Sequence, residues 1–246
     1  MSLTLNCDLG EGFGSWKMGL DEMAMPHIHQ ANIACGFHAG DAIIMRKTIH
    51  LAKTHGVSVG AHPAYPDLQG FGRRTMNCSH DEIVAYVQYQ ISAIEGMAKS
   101  MGVAVDYVKP HGALYNDMMA KQTVRAAVMK AVSNHHSELT LMLQALPENA
   151  EHKEEAEKLG LELQFEAFAD RCYDDDGKLL SRAREGAVHT REKMMQQVQQ
   201  LIDSKSVTTI SGNSLPIHAD TLCVHGDNEA GVKSIAGIRA LIDALK

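Results

Sequence analysis

The 246-residue sequence contains only five cysteines, and none of them stands in a CxxC pair. An odd and scattered set of this kind is not typical of a disulfide framework or a cysteine zinc site. It predicts reduced thiols in a cytoplasmic protein. No apolar run approaches the roughly 20 residues that a membrane span needs, and the first residues lack the features of a signal peptide. We therefore expect no membrane partner.

Positive charge is also in short supply. The chain has 23 Lys and Arg against 30 Asp and Glu, a formal net charge of −7. This balance argues against nucleic acid or an anionic membrane as the main partner. Hydrophobic residues at 45% and charged residues at 22% are ordinary values for a globular protein, which excludes disordered and fibrous classes.

Several catalytic and nucleotide-binding motifs are missing. The sequence has no G-x-S-x-G nucleophile turn and no HExxH zinc motif. The glycine-rich segment 10–14 contains Glu11, whose charge would repel a phosphate, and 226–234 only approximates a phosphate-binding loop. The sequence therefore shows no ATP cradle of its own.

Short β-like runs alternate with amphipathic stretches along the chain. This pattern predicts an α/β fold with a mostly parallel sheet, built as a closed or nearly closed barrel related to the (β/α)8 form, with an open doubly wound sheet as the alternative. We expect one domain over residues 1–246. The predicted strands are Leu3–Leu9, Ala31–Cys35, Val57–Ala61, Tyr107–Lys109, Leu139–Leu143, Leu161–Ala167, Val207–Ile210 and Thr221–Val224.

The predicted helices cover 41–55, 79–101, 117–136, 148–159, 190–203 and 228–245. Ser79 and Glu82 form a capping box at the start of the second helix, and Asp41 and Asn228 are suitable caps for two others.

Histidine is abundant, with 14 residues, and four histidines directly follow predicted strands together with acidic and basic side chains. In parallel α/β folds the carboxyl ends of all strands open on one face, so these side chains should converge on one cleft and form an active site. The candidate residues are Asp8, Glu11, His38, Asp41, His62, Arg73, Lys109, His111, Asp170, Arg171, His225 and Asp227.

The residue types leave alternatives open. Neutral imidazoles with a carboxylate suit either a divalent metal, for which Asp8, His62 and His111 are the candidate ligands, or general acid–base catalysis. Asp41 could serve only as a helix cap, and Lys109 could be an anion ligand or part of a buried ion pair. The other histidines we weighed are expected to be solvated: His27, His29, His135, His136, His152 and His189.

Six motifs in order resemble the LamB/YcsF family. They are Asn6–Glu11, Ala31–Asp41, Gly60–Asp67 with Gly70–Arg73, Val108–Asn116, Glu166–Arg171 and Cys223–Asp227. The resemblance implies an irregular TIM-like (β/α) barrel of the glycoside hydrolase/deacetylase type. It also implies the role of the A subunit in a bacterial ATP-dependent 5-oxoprolinase, which opens 5-oxo-L-proline to L-glutamate while ATP is hydrolysed to ADP and phosphate, together with subunits B and C. ATP would then be used by the complex.

For such a reaction we expect Asp8, His62 and His111 to position or deprotonate a water molecule, directly or through a metal. Arg73 and Lys109 would hold the substrate carboxylate or a developing phosphate charge, and His38 with Asp41 would orient groups or relay protons. A stand-alone metal-dependent deacetylase or amidohydrolase, and a substrate-binding subunit without chemistry of its own, remain alternatives.

Overall fold

A computed structural model describes residues 3–147, 149–182, 184–225 and 229–244, without the side chains of 225 and 229–231. Its strands are β1 (Thr4–Leu9), β2 (Gln30–Ala34), β3 (Ser58–His62), β4 (Tyr107–Val108), β5 (Thr140–Gln144), β6 (Leu163–Phe168), β7 (Ser206–Thr208), β8 (Ser214–Pro216) and β9 (Thr221–His225).

Seven of these strands form a closed barrel in the order β1-β2-β3-β4-β5-β6-β9, and each adjacent pair is parallel. The predicted TIM-like barrel is confirmed. The carboxyl ends of its strands open on one face, where the candidate residues were expected.

The predicted eighth barrel strand, Val207–Ile210, is wrong. Its residues contribute β7, which pairs antiparallel with β8 outside the barrel, and β6 pairs directly with β9. A barrel strand is covered on both faces, whereas Ile210 is 46% exposed. The turn at Ser211–Asn213, with Gly212 at φ +83°, instead closes a short hairpin.

The helices are α1 (Asp21–Ala24), α2 (Ala42–His55), α3 (His80–Ser100), α4 (Gly112–Ala120), α5 (Gln122–Ser133), α6 (Ala150–Glu157), α7 (Arg191–Ser204) and α8 (Glu229–Asp243), with a 3-10 turn at Met25–His27. The capping box of Ser79 and Glu82 is present at α3. The single helix predicted over 117–136 is two helices, because Lys121 adopts an extended conformation between α4 and α5. None of the described helices is both long and apolar enough to cross a membrane.

Strand β1 shows how the barrel divides its two faces. Leu5, Cys7 and Leu9 are buried in the apolar layer between barrel and helices. Asn6 and Asp8 alternate with them and bond to Asn32 of β2, inside the barrel. Since successive side chains of a strand point to opposite faces, the barrel has an apolar outside and a polar interior.

The narrow middle of the barrel depends on one glycine. A Cβ atom at Gly60 would lie 2.2 Å from the ring of Tyr107, its register partner on β4. The Tyr107 hydroxyl crosses the interior and donates to Asn32 Oδ1 at 2.7 Å. Gly60 therefore makes room for an aromatic side chain that links two strands.

Candidate active site at the mouth of the barrel

A buried lysine forms the centre of the polar interior. Lys109 Nζ lies 2.9 Å from Asp8 Oδ1, 3.1 Å from Glu166 Oε2 and 3.3 Å from Asn6 Oδ1. Asn32 Nδ2 donates to both Asn6 and Asp8. We call these five residues the lysine cluster.

The surroundings of Lys109 keep it charged. Burial acts to lower its pKa, but Asp8, Cys223 and Glu166 together raise the pKa of Lys109 well above its ordinary value. Two carboxylates already balance its charge, which fits the buried ion pair better than a cation reserved for substrate.

Three histidines lie next to this cluster, at the ends of the strands β2, β3 and β4. His62 ends β3, while His38 and His111 lie in the loops that follow β2 and β4. With Glu11, which follows β1, they form a second set, which we call the histidine cluster. All four side chains are almost entirely buried.

Hydrogen bonds to the backbone fix the tautomers of two of these rings. His62 Nδ1 lies 2.6 Å from the carbonyl oxygen of Lys109, and His111 Nε2 lies 2.9 Å from that of Phe71. Since a carbonyl oxygen only accepts, those nitrogens carry the protons. The other nitrogens, His62 Nε2 and His111 Nδ1, face each other at 3.0 Å. Two nitrogen lone pairs at this distance require a cation between them or beside them, either a proton or a metal ion.

Glu11 and His38 complete the set. Glu11 Oε1 lies 3.5 Å from both His38 Nε2 and His111 Nδ1. The His38 ring stacks on His111 with centroids 3.7 Å apart. Both of its ring nitrogens are buried without a hydrogen-bond partner among the described residues. An imidazole in this state is short of the ligand that its lone pair would bind.

The histidine cluster meets the requirements of a metal site. One donor atom from each of its four residues falls within 4.8 Å of the others. Burial first, and then the neighbouring His62, lowers the pKa of His38 well below its ordinary value. Burial and both neighbouring histidines do the same to the pKa of His111. Neutral imidazoles held by backbone carbonyls are the usual form of histidine ligands.

This ligand set differs from the one expected from the sequence. Asp8 Oδ2 is 3.4 Å from His62 Nε2, but its Oδ1 binds Asn32 and Lys109. Glu11 is the carboxylate that lies beside His38 and His111.

A turn that sequence reasoning missed supports the histidines. Phe71 has a left-handed backbone, with φ +54°, which is uncommon for a residue with a side chain. Its carbonyl accepts from His111, and its ring lies edge-on to His38 and His111. A Cβ atom at Gly72 would lie 2.8 Å from His38 Cβ. The signal that could have found this turn is the Gly-Phe-Gly sequence at 70–72.

A cavity of about 410 Å³ opens above both clusters. Asp8, Glu11, His62, Lys109 and His111 line its buried part, and Arg73 and Arg182 line it with exposed side chains. The cavity thus joins buried acid–base groups to guanidinium groups that can hold an anion.

Arg171 also lines the cavity, but it supports the loop beside it. Its Nη2 donates to the carbonyl oxygen of Leu180 at 2.5 Å, and its Nε donates to that of Ala187 at 3.4 Å. Asp170 is buried and does not contact the cavity.

The remaining candidates lie elsewhere. Asp41 caps α2 through the backbone N–H groups of Ile43 and Ile44 and also accepts from Gly14 N at 2.7 Å. The His225 side chain and the whole of Asp227 lie outside the described residues.

The expectation that six histidines are solvated is wrong for two of them. His152 is only 5% exposed, and the side chain of His135 is 4% exposed. Both lie on the amphipathic outer helices or their connections, where burial depends on neighbouring elements rather than on local sequence.

The sequence profile of the LamB/YcsF family matches residues 3–246. The chain belongs to the LamB/YcsF family. It is 51% identical to the 5-oxoprolinase A subunit numbered 2 of Pseudomonas putida, over 99% of this chain and 95% of that protein. It is 52% identical to the 5-oxoprolinase A subunit of Chromohalobacter salexigens, over 98% of this chain and 97% of that protein.

A solved structure of a similar protein has the same fold. The lactam utilization protein of Thermus thermophilus superposes with a TM-score of 0.90 at 35% identity, covering 100% of this chain and 97% of that one. The barrel and the order of its elements are therefore those of this relative.

Proposed function

We propose that this chain is the A subunit of an ATP-dependent 5-oxoprolinase and carries out the lactam-opening step together with subunits B and C. The substrate is 5-oxo-L-proline, the product is L-glutamate, and ATP is hydrolysed to ADP and phosphate by the complex. Near full-length identity of about 50% to proteins named as 5-oxoprolinase A subunits supports this proposal. Five cysteines without a disulfide agree with a cytoplasmic enzyme.

One observation carries the chemical part of the proposal. His62 and His111 present facing lone pairs at 3.0 Å, inside a cavity and next to two buried carboxylates. This arrangement suits the removal of a proton from water, or the binding of a divalent cation. A bound cation would lower the pKa of a water ligand and polarise the lactam carbonyl. Glu11, His38, His62 and His111 would hold it.

The chain's own residues then have the following roles. Asp8, His62 and His111 orient a water molecule toward the lactam carbonyl carbon and accept its proton. The ring C–N bond breaks as the nitrogen takes up a proton, which yields the amine and the new carboxylate of glutamate. Arg73 binds the substrate carboxylate or a phosphate from outside. The charge of Lys109 holds Asp8 ionised.

ATP binding is assigned to the partner subunits. The amides of the glycine-rich segment already serve carboxylates, since Gly10 N donates to Asp21 at 3.0 Å and Gly14 N donates to Asp41 at 2.7 Å. A phosphate would have to displace both bonds and lie beside Glu11.

The test is reconstitution of all three subunits, with glutamate formation and 5-oxoproline-dependent ATP hydrolysis measured together. We expect both activities only when the three are present, and neither with His62→Ala or His111→Ala. The matched control is His80→Gln, an exposed histidine beside Asp81 that lies outside the cavity. Treatment with a chelator should abolish activity, and a divalent metal should restore it.

Two other results would decide against the proposal. Lactam hydrolysis by this chain alone, without ATP, would identify a stand-alone amidohydrolase. Full turnover of His62→Ala and His111→Ala at saturating substrate would show that the chain only binds substrate.

A further inference from the structure

A second group of histidines and a carboxylate lies in the helical shell, away from the barrel mouth. Glu95 belongs to α3, and His135 and His136 lie in the connection between α5 and β5. Donor atoms of the three residues fall within 4.8 Å of one another. None of them lines the cavity above the barrel. We call them the outer cluster.

The carboxylate of Glu95 is the centre of this group. Its Oε2 lies 3.1 Å from His136 Nε2 and 3.6 Å from His135 Nε2. Its other oxygen, Oε1, accepts a hydrogen bond from the hydroxyl of Ser137. A carboxylate held in this way by a hydroxyl, with one oxygen turned toward imidazoles, is typical of a supported metal ligand.

The charge of Glu95 is poorly balanced. Its side chain is only 17% exposed. Its ion-pair partners among the described residues are the two histidines, without a lysine or arginine. A mostly buried carboxylate needs a compensating cation, and two imidazoles supply one only when a ring takes up a proton.

His135 provides an independent sign of a missing ligand. Its side chain is 4% exposed, and its Nε2 is buried without a hydrogen-bond partner among the described residues. Ser137 N approaches its Nδ1 at 3.5 Å, at the limit of a hydrogen bond. Burial, its largest influence, lowers the pKa of His135, so the ring is the neutral form that a metal binds.

We propose that Glu95, His135 and His136 bind a transition-metal cation of the zinc class, separate from the histidine cluster. Two imidazole nitrogens and one carboxylate oxygen are a suitable set for Zn²⁺, with the remaining position filled by water on the exposed side, where His136 is 73% accessible. The cation would tie α3 to the connection that leads into β5, and so stabilise the packing of α3 on α5.

The experiment is equilibrium binding of Zn²⁺ alone to the full-length chain, read as equivalents bound and as the shift in unfolding temperature. We expect His136→Gln and Glu95→Gln to bind one equivalent fewer than the unsubstituted chain, or to bind it at least about tenfold more weakly. The stabilisation by Zn²⁺ should fall in parallel, because a ligand stabilises only the state that binds it.

Two controls make the result decisive. His80→Gln removes an exposed histidine that contacts a single carboxylate, and it should leave the number of equivalents unchanged. His62→Ala removes a ligand of the histidine cluster, and His136→Gln should lower Zn²⁺ binding in that background as well. Equal Zn²⁺ binding with and without His136 and Glu95 would overturn the proposal, whatever the metal content of the barrel mouth.

Discussion

The lysine cluster and the histidine cluster are neighbours in the same barrel and are buried to a similar extent, but they use their polar atoms differently. Lys109, Asp8, Asn6 and Asn32 bond to one another across β1, β2 and the end of β4. In the histidine cluster, both nitrogens of His38 lack hydrogen-bond partners among the described residues, and His62 and His111 turn lone pairs toward each other.

The difference separates a scaffold from a reaction site. A buried network whose groups pair internally holds strands in register and resists change. Buried groups with open valences cost stability, and proteins keep them where a ligand or a proton completes them. Substitutions should therefore act on stability in the lysine cluster and on chemistry in the histidine cluster.

The largest effect is expected in the histidine cluster. His111→Ala removes a general base or metal ligand, and should lower glutamate formation by the three-subunit enzyme at least about 1000-fold. The free energy of unfolding should change far less, since the lone pair of Nδ1 contributes little to folding. Urea titration of the purified chain measures this. A variant that unfolds more readily but retains its turnover would reverse the contrast between the clusters.

Lys109→Met tests the lysine cluster. It leaves Asp8 and Glu166 buried without their cation, and should lower the free energy of unfolding by about 3–5 kcal/mol. Adding Glu166→Gln removes one uncompensated charge, so the double variant should recover part of that loss in the same urea titration. Equal stability of the single variant and the unsubstituted chain would show that the ion pairs do not hold the interior.

Gly60→Ala should have a smaller effect on stability. Its Cβ would lie 2.2 Å from the Tyr107 ring, and overpacking of this kind costs about 1–3 kcal/mol. The matched control is Gly96→Ala within α3, where an added Cβ meets nothing within 4 Å. That control should stabilise the chain by about 0.5–1 kcal/mol. If both variants shift the thermal midpoint in the same direction, packing at Gly60 is not the constraint.

Asp41→Ala should have the smallest effect. Loss of the cap of α2 costs about 1 kcal/mol, while kcat should stay within about twofold because Asp41 contacts backbone amides outside the cavity. Asp41→Asn, which retains an accepting oxygen, should restore most of the stability. A large loss of kcat in both variants would support the proton-relay role expected from the sequence.

The sequence predicts most of the barrel because its signals are local. Alternating strand and helix patterns, the capping box at Ser79 and the cap at Asp41 each depend on a few consecutive residues. The failed eighth strand, Val207–Ile210, has the β-branched residues of a strand, yet whether a strand joins the barrel depends on which neighbours cover it. That choice is tertiary and cannot be read from four residues.

The site was predictable to a similar limit. Residues placed at or directly after strand ends, such as Asp8, His62 and His111, meet at the mouth because parallel strands share one open face. Glu166 and Asn6 were missed as partners of Lys109, since their position inside the barrel follows from strand register. His135 was missed for a related reason, because Glu95 lies 40 positions earlier and meets it only when α3 packs beside α5.

Closure of the barrel has a consequence for how the chain is made. Strand β1 pairs with β2 and also with β9, so that Thr4 meets Thr221 across almost the whole sequence. During synthesis the last strand emerges late, and until it docks both β1 and β6 present unpaired strand edges to other chains. The slow step of folding is thus the insertion of Thr221–His225, and conditions that delay it should favour aggregation over the native barrel.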